Sequence, residues 1–138
     1  MKTIDKLLSE KMMTLVRSNS QSEGQALADA LVEAGVKVIE ITLTTPGALK
    51  IIAKLLKNKD LLVGAGTVRT VKDVKRVEDV GASFIVSPDT NEDVIAATKK
   101  LKLVSMPGVS TPTEVAIAEE SGADILKLFP ATILGPDH

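Results

Sequence analysis

The sequence predicts an α/β fold in which a parallel sheet curls into a (β/α) barrel, and three observations point to it. Strand-like apolar runs alternate with helical patterns along the whole chain. Those runs are apolar on both faces, as strands covered by helices in a parallel sheet must be. Three segments also share one plan, an acidic helix end, a glycine and an apolar strand: Glu33-Ala34-Gly35-Val36 before Val38-Ile39-Glu40-Ile41, Asp79-Val80-Gly81-Ala82 before Phe84-Ile85-Val86, and Glu120-Ser121-Gly122-Ala123 before Ile125-Leu126-Lys127-Leu128. Strict alternation with no crossing point favours a barrel over a doubly wound sheet.

Residues 2–10 read as a short helix, and Met12 to Arg17 as a first strand that ends in a cation. Ser20 and Glu23 have capping-box spacing, Leu27, Ala30, Leu31 and Ala34 recur at helical intervals, and Gly35 is the stop. Val36 to Leu43 follows as a strand with Glu40 in its interior. Thr45-Pro46 predicts a helix start with proline in the first turn, and Leu49, Ile52, Ala53 and Leu56 are its expected apolar face. Leu61 to Thr67 is a strand that runs into a small-residue loop. Thr70 and Asp73 open the next helix, with Val71, Val74 and Val77 on one side and Gly81 at its end. Ser83 to Ser87 is a strand, Asn91 caps a helix through Val94, Ile95 and Thr98, and Leu103 to Met106 is the fifth strand. Thr111-Pro112-Thr113-Glu114 joins a capping box to a first-turn proline. That helix ends at Gly122, and the sixth strand carries Lys127.

Size and composition narrow the function classes. A chain of 138 residues, 44% hydrophobic and 25% charged, suits one folded soluble domain spanning 1–138. Its net charge of -1 leaves no electrostatic footprint for nucleic acid or a membrane surface. No apolar run reaches the roughly 18 residues that span a bilayer, and residues 1–10 lack the apolar core of a signal peptide, so a cytoplasmic location is expected. There is no cysteine and the one histidine is His138, so neither a thiolate nucleophile nor a soft or imidazole ligand set is on offer. No metal is expected.

The chemistry is sought at Ile125-Leu126-Lys127-Leu128-Phe129-Pro130-Ala131, where a lysine stands inside an apolar run that reads as a buried strand. Two readings are open. The lysine snorkels to water, or it is desolvated enough to attack a carbonyl and form a Schiff base. By strand alternation Lys127 shares a face with Ile125 and Phe129, and Glu40 with Val38 and Thr42, so both charges point inward. Opposite charges inside one barrel argue for a site in which each tunes the other. Arg17 and Thr67 stand at carboxyl ends of strands, where barrel active sites lie; a solvated strand end and a turn residue are the plainer readings of the two. Gly64-Ala65-Gly66-Thr67 alone is a weak phosphate or carboxylate signal, without the lysine of a P-loop or a third glycine.

Five motifs, Ile39-Glu40-Ile41-Thr42-Leu43-Thr44, Gly64-Ala65-Gly66-Thr67, Ile85-Val86-Ser87-Pro88, Met106-Pro107-Gly108-Val109 and Ile125 to Pro130, resemble in order and spacing the bacterial 2-keto-3-deoxy-6-phosphogluconate (KHG/KDPG) aldolases. The resemblance covers the chain from about Met12 onward. It implies a parallel (β/α) barrel of the TIM type and a class I aldolase that needs no metal or other cofactor. Such enzymes are cytoplasmic homotrimers of the Entner-Doudoroff pathway and release pyruvate from a small-molecule 2-keto acid. By the same match Lys127 is the Schiff-base lysine, Glu40 the acid and base, and Thr67, Thr44, Arg17 and Phe129 contact substrate. Many members have an arginine where Thr44 stands, and Arg17 is the available replacement.

The readable strands amount to about six of eight β/α units, against the roughly 200 to 250 residues of a full barrel. The expectation is an incomplete barrel lacking the last two strands and most of the phosphate grip they carry. Two strand edges would then face water, and the 138-residue chain alone would fold poorly or work weakly. Three rival readings remain: cleavage of 2-keto-4-hydroxyglutarate or of 2-keto-3-deoxy-6-phosphogalactonate, an inert assembly module, and another phosphate-binding barrel enzyme.

Overall fold

The computed structural model of the chain describes residues 2–138. Its elements are α1 (Thr3–Glu10), β1 (Thr14–Val16), α2 (Gln21–Glu33), β2 (Val38–Thr42), α3 (Ala48–Leu55), β3 (Leu62–Gly66), α4 (Val71–Asp79), β4 (Phe84–Val86), α5 (Glu92–Lys100), β5 (Val104–Met106), β6 (Gly108–Val109), α6 (Pro112–Glu120), β7 (Lys127–Leu128) and α7 (Ala131–Leu134). Strands β1 to β5 form one sheet in sequence order, parallel throughout. β6 and β7 pair separately, also in parallel.

The break between β5 and β6 falls at Pro107, which has no N–H to give a ladder. The chain carrying Lys127 still runs beside both pieces. Ser105 O accepts from Asp124 N and Ile125 N at 3.0 and 3.2 Å, Pro107 O from Lys127 N at 2.9 Å, and Val109 O from Phe129 N at 3.1 Å. The sixth β/α position is therefore filled as the sequence predicts, but with a regular strand of only two residues. Among the described residues nothing pairs with the outer edge of β1 or of β7, so the barrel is open.

Alternation along the strands sorts side chains into two cores. Val16, Ile39, Ile41, Val63, Ala65 and Ile85 pack outward against Ala28, Ile51, Ile52, Leu55, Val74, Val77 and Val94 of the helices. Val38, Leu62, Phe84, Val86, Val104 and Met106 point inward and meet Leu7 of α1, which stoppers the amino end of the barrel with an apolar floor. The three glycines of the repeated segment, Gly35, Gly81 and Gly122, have φ of 87°, 86° and 89°. That left-handed turn is cheap only for glycine, and it swings each helix end back into the next strand.

Several helix details differ from the sequence reading. α3 starts at Ala48 after Gly47, which has φ 69°, so Pro46 is not in its first turn. Thr45 is spent on a tight turn instead: its N–H donates to Thr42 O at 2.9 Å and its Oγ1 accepts from Ser18 N at 3.2 Å. The buried face of α3 is Ala48, Ile51, Ile52 and Leu55, and Ala53 is exposed. On α2 the buried residues are Gly24 and Ala28, whereas Leu27 and Ala30 face outward. The helix lies so close that a Cβ on Gly24 would come within 2.8 Å of Ser18 Oγ and 2.9 Å of Thr45 Cγ2. Contact of that kind selects the smallest residues for the buried side, and apolarity alone misassigns it. Val71 is likewise exposed at the start of α4. Ser20, Thr70, Asn91 and Thr111 cap their helices as predicted; the reciprocal box closes at Thr111 and Glu114, whereas Glu23 accepts from Asn19 N at 3.3 Å instead of from Ser20.

Candidate active site

The interior above the apolar floor turns polar toward the carboxyl ends of the strands. Glu40 is the first polar group above that floor. Its strand neighbour Val38 belongs to the inward core and its flanking residues Ile39 and Ile41 to the outward one, so its side chain points into the barrel. It is 2% exposed, and its Oε1, sealed from solvent, accepts no hydrogen bond among the described residues. Burial raises its carboxyl above the ordinary 4.5, an effect opposed first by the charge of Lys127 and then by that of Arg17. A carboxylate without donors in a dry setting is an unstable arrangement unless it has work to do.

Space for that carboxylate comes from Gly66. Thr42 pairs with Gly66 in the β2–β3 register, and a Cβ on Gly66 would lie 1.7 Å from Glu40 Oε1. One step lower, Gly64 pairs with Glu40 and is kept bare by the ring of Phe84, 2.3 Å from where its Cβ would be. The Gly-Ala-Gly run thus acts through its missing side chains. Its alternating glycines were the signal that could have shown this in the sequence.

Lys127 lies on the same inward side. Ile125, two residues before it, packs against the inward core, and Lys127 itself pairs with Gly108. The strand is not buried as the sequence suggested. Lys127 is half-buried, while Leu128 and Phe129 are 39% and 43% exposed, because β7 has a strand partner on one side only. What shelters the amine is the Phe129 ring, whose centroid is 4.8 Å from Nζ. The two side chains share a face two residues apart, as strand alternation requires.

The entry to this strand is fixed by a residue that the sequence reading passed over. Asp124 Oδ2 accepts from Ser105 N at 2.8 Å, and Lys99 Nζ of α5 donates to the same carboxylate. Together with the two bonds to Ser105 O, this clamps the chain three residues ahead of Lys127.

Arg17 follows β1 at its carboxyl end and is exposed. Its Nη2 donates to Thr67 Oγ1 at 3.2 Å. Thr67 has φ 56°, a left-handed backbone that costs a β-branched residue on the order of 1–3 kcal/mol. It directs the hydroxyl to Arg17 just above Gly66. Thr44 is exposed on the turn after β2, with its hydroxyl 3.0 Å from that of Thr42. It lines an outer depression of about 340 Å³ with Pro46, Lys50 and Arg76. Arg17, Glu40, Thr67, Lys127 and Phe129 are thus gathered at one end of the barrel, and Thr44 joins them only through Thr42. Among the described residues no cluster of acidic or histidine side chains could hold a metal ion, and no helix is long and apolar enough to cross a membrane.

Known proteins share this sequence and fold. The family model described as KDPG and KHG aldolase matches residues 3–136. A Rhizobium meliloti protein named "Probable 2-dehydro-3-deoxy-6-phosphogalactonate aldolase" is 38% identical over 131 residues, covering 94% of this chain and 62% of its own. The solved 2-keto-3-deoxy-6-phosphogluconate aldolase of Zymomonas mobilis superposes with a TM-score of 0.86 at 32% identity, over 96% of this chain and 64% of that one. A Legionella pneumophila KDPG aldolase, solved with pyruvate captured as a covalent carbinolamine, gives a TM-score of 0.85 at 29% identity, over 98% of this chain and 66% of that one. The chain spans about three fifths of the length of the curated relatives it matches.

Proposed function

Because the chain belongs to the KDPG and KHG aldolase family, we propose that it carries the reacting groups of a class I aldolase, a lyase that cleaves a 2-keto-3-deoxy acid and releases pyruvate. The observation that supports this most is the dry, donor-free Glu40 carboxylate on the inward side that also carries Lys127, whose charge is felt there. The Legionella relative's covalent capture of pyruvate supports the same chemistry.

In this reading Lys127, as the free amine, adds to the C2 ketone of the substrate, and loss of water gives an imine that is protonated on nitrogen. Glu40 takes the proton of the C4 hydroxyl. The C3–C4 bond then breaks: C4 leaves as an aldehyde and the bond electrons flow through C3 into the iminium as an enamine. Glu40 returns a proton to C3, and water hydrolyses the imine to free pyruvate and the amine. Its raised pKa suits a group that must both accept and return a proton near neutral pH. Arg17, held by Thr67, offers a cation for the substrate carboxylate, and Phe129 walls the amine.

The favoured substrate is 2-keto-3-deoxy-6-phosphogluconate, cleaved to pyruvate and glyceraldehyde 3-phosphate in a cytoplasmic Entner-Doudoroff route, with a homotrimer as the working assembly. The names of the relatives favour 2-keto-3-deoxy-6-phosphogalactonate and 2-keto-4-hydroxyglutarate as second readings. Pyruvate release measured on all three tests the assignment: the phosphogluconate acid should be cleaved fastest, and no release from any of them would refute the aldolase reading.

Gly66→Ala supplies a further check. With 1.7 Å between the added methyl and Oε1, the carboxylate must move, and an ångström of misplacement costs about 10²-fold. The expected result is a kcat roughly 10²-fold lower with KM little changed. Gly81→Ala, where an added methyl has more room but an unfavourable φ of 86°, should lower the melting temperature by circular dichroism and leave kcat of the folded protein intact.

A further inference from the structure

Among the described residues two side-chain oxygens are buried without a hydrogen-bond partner, Glu40 Oε1 and Asp89 Oδ1. The first belongs to the mechanism above. The second stands in the Ser87-Pro88-Asp89-Thr90 loop that follows β4, at the carboxyl end of the barrel.

No local structural role accounts for the Asp89 carboxylate. The loop is pinned by other groups: Ser87 N donates to Met106 O at 3.2 Å, Ser87 Oγ to the backbone oxygen of Asp89 at 3.0 Å, and Thr90 Oγ1 to Gly108 O at 2.8 Å. The cap of α5 is Asn91, which accepts from Val94 N at 3.1 Å. Asp89 makes no salt bridge among the described residues. A partly buried carboxylate that the chain leaves unserved needs its donors from elsewhere.

Its position indicates the source. A Cβ on Gly108 would come within 2.4 Å of Pro88 O and 3.1 Å of Asp89 N, so the loop lies directly against the bare face of Gly108. Gly108 is the register partner of Lys127. The Pro88–Asp89 peptide thus packs, at the carboxyl end of β4, against the strand next to the one that carries Lys127.

Building on the aldolase reading, we propose that Asp89 is a specificity residue for the aldehyde half of the substrate, accepting a hydrogen bond from the hydroxyl next to the carbon that becomes the aldehyde. A carboxylate accepts and does not donate. The pyruvate half offers a carboxylate and a ketone, which are acceptors only, so Asp89 has nothing to bind there. A phosphate would be repelled. The C4 hydroxyl already gives its proton to Glu40. What remains is the hydroxyl on the next carbon, C5 of the uncleaved acid, which 2-keto-4-hydroxyglutarate lacks. The site therefore selects polyhydroxylated 2-keto-3-deoxy acids over that compound.

The test runs the reaction in the direction of synthesis with the full-length protein, pyruvate, and either glyceraldehyde or 3-hydroxypropanal, which differ only in that hydroxyl. A hydrogen bond to a charged group corresponds to about a 10- to 100-fold effect. Wild type should prefer glyceraldehyde by at least about 10-fold in kcat/KM. Asp89→Ala and Asp89→Leu, neither of which can accept the bond, should bring that ratio to within about 3-fold and leave borohydride trapping of pyruvate unchanged. An unchanged ratio in both variants overturns the role of Asp89, and so does loss of trapping in both, since the residue would then act on the fold. Absence of trapping in wild type would instead remove the aldolase reading beneath it.

Discussion

Lys127→Ala is expected to abolish formation of the pyruvate adduct and to lower pyruvate release from a 2-keto-3-deoxy acid by at least about 10³-fold, because no other nucleophile can replace the covalent step. Lys127→Arg should be equally inactive. It keeps the positive charge near Phe129 and Glu40, but a guanidinium does not form the imine. The pair separates nucleophilic from electrostatic loss: both variants lose activity, yet in Lys127→Ala the Glu40 carboxyl also loses the charge that most opposes its upward shift. Titration of that carboxyl by carbon-detected NMR should therefore find it higher in Lys127→Ala than in Lys127→Arg.

Glu40→Gln should reduce kcat by about 10²- to 10⁴-fold, the span that general acid–base catalysis supplies, while pyruvate still traps on Lys127. The same variant makes a stability prediction of definite sign. Because burial holds the folded carboxyl above its ordinary 4.5, the native state binds this proton more tightly than the unfolded chain. The resulting stabilisation is fully present below pH 4.5 and disappears as pH rises through the raised value. Wild type pays for an ionised, donor-free carboxylate above that window and the glutamine variant does not. Relative to wild type, Glu40→Gln should therefore gain stability as pH is raised from about 4 to 8, read by circular dichroism melts, since the chain has neither tryptophan nor tyrosine.

The alternation of strands and helices was legible because β2, β4 and β7 are each announced by a glycine that must adopt a left-handed turn, and because Ser20, Thr70, Asn91 and Thr111 cap helices by local hydrogen bonds that spacing alone defines. Glu40 could be placed inside the barrel for a similar reason, since strand alternation puts it with Val38 and opposite Ile39 and Ile41. What could not be read was set by partners distant in sequence. The buried side of α2 is decided by how closely Thr45 and Ile51 approach Gly24, and the start of α3 in part by the hydrogen bond that Thr45 accepts from Ser18. The shelter of Lys127 was also misjudged: an apolar run looks buried in sequence, but burial of β7 depends on strands at both its edges. The clamp from Asp124 to Ser105 and Lys99, and the unserved carboxylate of Asp89, have no local pattern to reveal them.

The proposed chemistry requires an amine at position 127 that condenses with a 2-oxo acid. The most direct measurement is incubation with pyruvate, reduction with borohydride, and peptide mass spectrometry. One reduced pyruvate should be found, on the peptide containing Lys127, and none in Lys127→Ala. An unmodified protein, or an adduct on any other lysine that persists in Lys127→Ala, would contradict it.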